Sequence, residues 1–216
     1  MQFLDAIRIP NKNHSLKRKI LTLFCILFFG ICLGTFSKFL DYRQSELPAF
    51  LQMMDSTLDL HNFLGSFSPW IVIATCIAIY SDTPWCAAIH VLLFFVGMVS
   101  SYYIYCNYIA GFFPQAYAMI WIAFTAVSPF LGFLCWYAKG KGGFALILSS
   151  GIIGVLINTA FSYGIFYISI RSWLQIIMLL LGIRLLHKSL KETGMILGIG
   201  MLFAIIMHNV VPFPIY

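Results

Sequence analysis

Charge is what this chain has least of: 13 Lys and Arg and 7 Asp and Glu make up only 9% of its 216 residues, while 61% are hydrophobic. Soluble domains carry about a quarter charged residues, so a water-facing surface cannot be assembled here. The few acids leave intramembrane acid–base or metal-dependent chemistry little to work with. There is no H-E-x-x-H pair, no G-x-S-x-G turn, no Walker lysine loop and no pair of acids inside an apolar run. The six cysteines (Cys25, Cys32, Cys76, Cys86, Cys106 and Cys135) lie singly, without C-x-x-C spacing, and read as polarizable core fillers rather than ligands. No metal and no organic cofactor is implied. A net charge of +6 sits at the ends of apolar runs instead of along one face, which speaks against nucleic acid. No small-residue cleavage site follows the first apolar run, so it is expected to remain in the protein.

What is present is a series of long apolar runs. In a bilayer only helices and closed barrels satisfy every backbone N–H and C=O internally, and unbroken runs rather than dyad alternation select helices. The expected fold is all-α: a polytopic transmembrane helical bundle of about seven spans at 20–39, 67–80, 85–108, 115–137, 143–168, 173–186 and 195–211, forming one transmembrane domain over 1–216. The second and sixth runs are short, and six spans plus one re-entrant segment is the alternative. Lys and Arg accumulate on cytoplasmic loops. A cytoplasmic N-terminus puts Arg8, Lys12, Lys17, Arg18, Lys19, Lys139, Lys141, Arg184, Lys188 and Lys191 inside and leaves Lys38, Arg43 and Arg171 outside. The reading is therefore a multi-pass cytoplasmic-membrane protein with a basic segment at 1–19 inside and the C-terminus outside.

The longest loop, 41–66, then faces outward. Within it Leu47, Phe50, Leu51, Met54 and Leu58 fall on one helical face, with Gln52, Asp55, Ser56 and Asp59 elsewhere, which predicts a surface amphipathic helix. Small residues four apart let helix backbones approach: Gly30 with Gly34, Ser150 with Gly154, Gly194 with Gly198. They are assigned to helix packing, inside the bundle or between copies.

Aromatic residues concentrate at the outer ends of the runs, whereas an interfacial belt would populate both. This asymmetry points to an outward-facing pocket for an apolar, aromatic or cationic small molecule. Its expected lining is Tyr102, Tyr103, Tyr105, Trp121, Asn158, Tyr163, Tyr167 and His208. Asn107, Gln115 and Asn209 lie at similar depth; His90 reads as a packing histidine. Lys38 and Asp41, three apart, read as a snorkelling interfacial pair, and Arg184 as reaching headgroups.

The stretch from Trp70 to Lys141, with Gly97-Met98, Ser101-Tyr102-Tyr103, Gly111-Phe112-Phe113-Pro114 and Cys135-Trp136-Tyr137-Ala138-Lys139-Gly140-Lys141-Gly142, resembles small bacterial polytopic membrane proteins to which no function is attached. In size and outward pocket the chain is also similar, in architecture alone, to the substrate-capturing subunits of energy-coupling-factor transporters, which implies a small-residue docking face and six spans. The leading functional expectation is a non-enzymatic binding or transport protein in the lipid bilayer. An accessory, regulatory or immunity protein that docks a membrane-protein partner, or forms a homo-oligomer, is the alternative. An intramembrane enzyme using His208 or His90 comes third, since no nucleophile and base share a suitable spacing.

Overall fold

The computed structural model describes residues 6–11, 15–43, 46–164 and 166–210. Lys12, Phe213, Tyr216 and the final residue of the last expected span, Val211, lie outside them. Nine helices follow in order among the described residues: α1 (Leu16–Tyr42), α2 (Ala49–Leu58), α3 (Leu60–Gly65), α4 (Ser68–Tyr80), α5 (Pro84–Tyr108), α6 (Gln115–Ala138), α7 (Gly142–Ala160), α8 (Trp173–Leu186) and α9 (Leu190–Val210). Between α7 and α8 stands a hairpin of β1 (Phe161–Tyr163) and β2 (Ile168–Ile170). The chain is a membrane-embedded helical bundle. α1, α5, α6, α7 and α9 are long and apolar enough to cross a bilayer. α4 and α8, with 13 and 14 residues, are about 20 Å long at 1.5 Å per residue, short of the roughly 30 Å hydrocarbon core.

Lipid offers apolar helices no hydrophobic reason to associate, so close backbone approach and hydrogen bonds hold them together. α1 lies along α5, and a Cβ on Gly30 would meet the Phe94 carbonyl oxygen at 2.3 Å; one on Gly34 would meet that of Met98 at 2.1 Å. Gly97 returns the contact, its Cβ position 2.5 Å from the Leu27 carbonyl. A step of four on α1 matches a step of four in the same sense on α5, so the two run parallel. α7 and α9 are parallel by the same test: a Cβ on Gly154 would meet the Gly200 carbonyl at 2.9 Å, and Asn158 Nδ2 donates to Ala204 O at 3.0 Å. Gly30, Gly34, Ser150 and Gly154 thus serve packing within the chain. Gly194 and Gly198 do not: nothing lies within 4 Å of a Cβ at either, and Gly200 takes the contact instead.

α5 is the most enclosed span, 56% buried over its most apolar window against 17% for α1 and α9. Its Phe94 and Phe95 share a core with Trp70 of α4 and Trp136 of α6, all fully buried, and a second core of Ile153, Leu156, Leu179 and Leu186 joins α7 to α8. In α6, Pro129 supplies no N–H to the Thr125 carbonyl. The Ser128 hydroxyl donates to that oxygen at 2.8 Å, so the proline costs no unpaired group in the bilayer.

Two expectations are corrected. The span at 143–168 ends eight residues early, at Ala160, because Phe-Ser-Tyr and Ile-Ser-Ile alternate bulky and small residues and pair as strands. Arg171 closes the hairpin's base, its N–H on Ala160 O at 3.0 Å and its Nε on Phe161 O at 3.2 Å. The amphipathic helix of the 41–66 loop is present as α2, but Asp55, placed on its polar face, is buried. It borders Leu51 on the wheel and turns inward to accept from the His61 backbone N–H at 2.9 Å and to pair with His61 Nδ1 at 3.0 Å. Asp59, left-handed at φ 55°, kinks the chain from α2 into α3.

The C-termini of α4, α6 and α8 gather at one end of the bundle with the N-termini of α1, α5, α7 and α9. Here Arg8 donates to Trp136 O and to Ile79 O, both at 2.7 Å, and its guanidinium lies 4.3 Å from the Trp136 ring centroid. Lys139 Nζ donates to Leu185 O at 2.6 Å and His187 O at 2.8 Å. Cations thus cap three helix C-termini, where carbonyls lack intrahelical partners and the helix dipole is negative. This basic end stands opposite an aromatic end formed by α2, α3, the 109–114 turn and the hairpin.

Candidate functional site

At the aromatic end a small cavity lies between α1, α4, α5 and α6, roofed by the end of α3. Ser37, Leu64, Gly65, Trp70, Met98, Val99, Tyr102, Tyr103, Tyr117 and Trp121 line it. The positions follow from helix rotation: Met98, Val99, Tyr102 and Tyr103 recur on one face of α5, and Tyr117 and Trp121 are one turn apart on α6. The roof is tied down at two points. Trp70 Nε1 donates to Leu64 O at 2.8 Å from below, and the Tyr117 hydroxyl donates to Gly65 O at 3.0 Å from the rim. Behind the wall the aromatic packing continues: Trp121 stacks on Phe67 at 4.8 Å, and Phe95 meets Phe124 edge-on at 5.1 Å.

Beside this cavity sits a group the sequence reading misjudged. Lys38 does not snorkel; it is 3% exposed. Its ammonium bonds Asp41 and lies 4.8 Å from the Phe112 ring centroid and 5.4 Å from that of Tyr102. Rings from the 109–114 turn and α5 cover the head group, and cation–π attraction with the Asp41 pair stands in for water. The Tyr103 hydroxyl is buried with no hydrogen-bond partner among the described residues. A polar group so placed forfeits about 1–3 kcal/mol unless something in the cavity pairs with it.

Of the eight residues expected to form one pocket, Tyr102, Tyr103 and Trp121 come together here. Tyr105 does not, because two steps of 100° put it on the far side of α5 from Tyr103. It is buried there in edge contact with Tyr42 at 6.3 Å, on a groove lined by Ile31, Cys32, Thr35 and Phe36. Asn158, Tyr163 and His208 form a third group where α7, β1 and α9 meet. The Tyr163 hydroxyl donates to Asn158 Oδ1, and its ring lies 4.7 Å from His208. Tyr167 is 60% exposed on the hairpin. Burial holds the Tyr163 phenol above its usual range, Arg171 opposing, so it stays a donor at neutral pH. Trp70 and Tyr117, which belong to the outer aromatic concentration but not to the expected lining, and the Leu64-Gly65 roof complete the cavity. Tyr117 had a signal, standing four residues before Trp121; the roof had none, since α3 lies beyond the predicted amphipathic stretch, which ends at Leu58.

Among the described residues no group of three or more His, Cys, Asp and Glu is placed to hold a metal ion. The arrangement lining this cavity contains no histidine, aspartate or glutamate to serve as a base. What it can do is enclose a small molecule: Lys38 lies over the Tyr102 ring, one of the five aromatic rings on the cavity wall, and the unpaired phenol of Tyr103 offers one hydrogen bond. The cavity measures about 20 Å³, room for about one water, so anything larger enters only as the α3 roof lifts.

The model of a family described as a family of unknown function (DUF6518) matches residues 13–212. No curated protein and no solved structure matches the chain.

Proposed function

The chain belongs to the DUF6518 family, whose description carries no activity, and from its own geometry we propose that it is a non-enzymatic binding protein for a small neutral aromatic or apolar molecule. The observation that carries this reading is the buried, unpartnered Tyr103 hydroxyl facing an aromatic-walled cavity under a two-point roof. The proposed site is Tyr102, Tyr103, Trp70, Tyr117 and Trp121, with Lys38 and Asp41 as its charged wall. Of the sequence-derived candidates, Tyr105, Asn158, Tyr163, Tyr167 and His208 have no part in it. The protein would sit in the bacterial cytoplasmic membrane as a single transmembrane domain of seven spans, basic end inside, so that the cavity opens outward and can hand its ligand on in transport.

The test is a thermal-unfolding screen of the detergent-purified protein against neutral aromatic compounds, with amines as the contrast. Neutral ligands carrying one hydrogen-bonding group should raise the midpoint, and amines should not. The Tyr103→Phe, Tyr117→Phe double variant should lose the response while folding normally. An equal response in that variant sinks the site.

A second reading has one observation in its favour. Gly194 and Gly198 stand exposed on α9 with open space beside them, which suits close approach by another membrane helix, from a copy or a partner. It predicts a partner co-purifying from native membranes and lost on Gly198→Leu.

A further inference from the structure

Deeper in the bundle, between α4, α5 and α6, lies a second cavity of about 60 Å³, against about 20 Å³ for the aromatic one. The two share one seam. On α5, Tyr103 and Val99 line the aromatic cavity and Phe95 and Val91 the second, each four residues from the last. On α6, Tyr117 and Trp121 are followed by Phe124 and Ser128, and on α4, Trp70 is followed by Ala74. Steps of three or four keep to one helix face, so the cavities are stacked along the helices, the aromatic one nearer the aromatic end. From Tyr103 to Val91 the seam is about 18 Å long at 1.5 Å per residue. It narrows at Gly132, where a Cβ would stand 3.0 Å from Ala87 O and from the Val91 side chain.

Phe124 is the partition. Its ring meets Trp121 edge-on at 6.2 Å on the aromatic side and Phe95 at 5.1 Å on the other. The two cavities differ in polarity. Beside the first stands the unpaired Tyr103 hydroxyl; in the second the Ser128 hydroxyl donates to Thr125 O at 2.8 Å, and Thr75 is bonded to Cys135. A water in the second cavity would lack the two to four partners it needs, whereas an apolar chain needs none.

We propose that the ligand of the aromatic cavity carries a slender apolar tail and that the second cavity receives it. This rests on the reading of the aromatic cavity as a binding site. The head of the ligand pairs with the Tyr103 hydroxyl, the tail runs along the seam, and the Phe124 ring swings aside to let it pass. The ligand class narrows accordingly, from a compact ring to a ring with one hydrogen-bonding group and an alkyl chain opposite it. Ala74, the small residue on the α4 side of the second cavity, sets how much tail is accepted.

Unfolding-midpoint titrations of the detergent-purified full chain test this, with phenol, para-ethylphenol and para-butylphenol as probes. They give dissociation constants for the wild type and for Ala74→Leu, whose added carbons fill the second cavity. Each compound partitions into detergent equally for both proteins, so the ratio of the two constants isolates the tail. That ratio should be near one for phenol and grow by up to about fourfold for each methylene added. A ratio that stays near one through para-butylphenol overturns the tail and leaves the aromatic site standing. No midpoint shift of the wild type with any of the three, phenol included, overturns both. Should Ala74→Leu fail to fold, Ala74→Val fills part of the space and is read the same way, with a smaller ratio expected.

Discussion

Arg8 carries more at the basic end than its place in a topology signal suggests. It joins two helix ends through charge-assisted hydrogen bonds to Ile79 O and Trp136 O and covers the Trp136 ring, while Trp136 Nε1 itself donates to Ser81 O at 2.7 Å. Arg8→Gln keeps at most one of the two bonds and no charge, and should lower stability by about 2 kcal/mol; Arg8→Lys, a point donor without the planar fork, should fall between. Chemical denaturation in mild detergent reads both. At the aromatic end the sign reverses: Tyr103→Phe removes a buried hydroxyl that has no partner, so the ligand-free protein should gain about 1 kcal/mol even as ligand response is lost. Near Arg8, burial first, then repulsion from Arg184 and Arg8, holds Lys139 below the ordinary lysine value of 10.5. Lys188 is lowered by burial and by Lys139, with Glu192 opposing. A folded value below the unfolded one means that the unfolded chain binds more protons, so stability increases with pH between the lowered values and 10.5. The unfolding midpoint should therefore climb as pH approaches 10.5, and Lys139→Arg, which stays charged, should flatten that climb.

Helix contacts depend on rotation about each axis, and this is where the sequence was partly readable. Gly30 and Gly34 could be assigned to packing because small residues four apart have few other uses in a span. Gly194 and Gly198 have the same spacing, yet Gly200, on another face of α9, meets Gly154; which face turns inward is decided by the partner helix. Tyr102, Tyr103 and Tyr105 were grouped by depth, and depth is what a hydropathy run reports. Two positions on one helix are 200° apart, so Tyr103 and Tyr105 could never have shared a cavity. The 161–170 hairpin was hidden by its hydrophobicity, since Phe161, Tyr163, Ile168 and Ile170 extend the apolar run of α7 without a break. Asp55 was misplaced because its partner, His61, belongs to the next helix. The contrast between glycines is testable. Gly34→Ala drives a Cβ to within 2.1 Å of the Met98 carbonyl and 2.4 Å of Ser101 Oγ, and should cost about 2–3 kcal/mol or abolish folded protein. Gly194→Ala meets nothing and should be neutral or stabilising by up to about 1 kcal/mol. Equal losses would mean that α9 packs against something through Gly194, as the docking reading requires.

For the whole molecule the open question is how a 14-residue helix is accommodated in the bilayer. α8 is about 21 Å long, yet its two ends are tied to opposite ends of the bundle. Gln175, at its start, is buried and bonded to Ser68 and to Ser66 Oγ at the aromatic end, while the carbonyls of Leu185 and His187 receive Lys139 at the basic end. Those ties hold α8 alongside α4 and α7, so the membrane would thin or the flanking residues Trp173 and Lys188 would reach the interface to meet it. The proposed orientation turns this into one labelling experiment. Phe166, 96% exposed on the hairpin, precedes α8, and Lys191, exposed at the start of α9, follows it, so nothing but α8 separates the two sides. In a cysteine-free background a membrane-impermeant maleimide should label Phe166→Cys in intact cells and Lys191→Cys only after lysis. Labelling of Lys191→Cys alone would invert the orientation and turn the aromatic cavity toward the cytoplasm. Labelling of both in intact cells would make α8 re-entrant, reduce the crossings to six and place the C-terminus with the N-terminus. The charge asymmetry of ten against three basic residues opposes both outcomes, since inversion would leave the larger group outside and a re-entrant α8 would carry Arg184, Lys188 and Lys191 out with it.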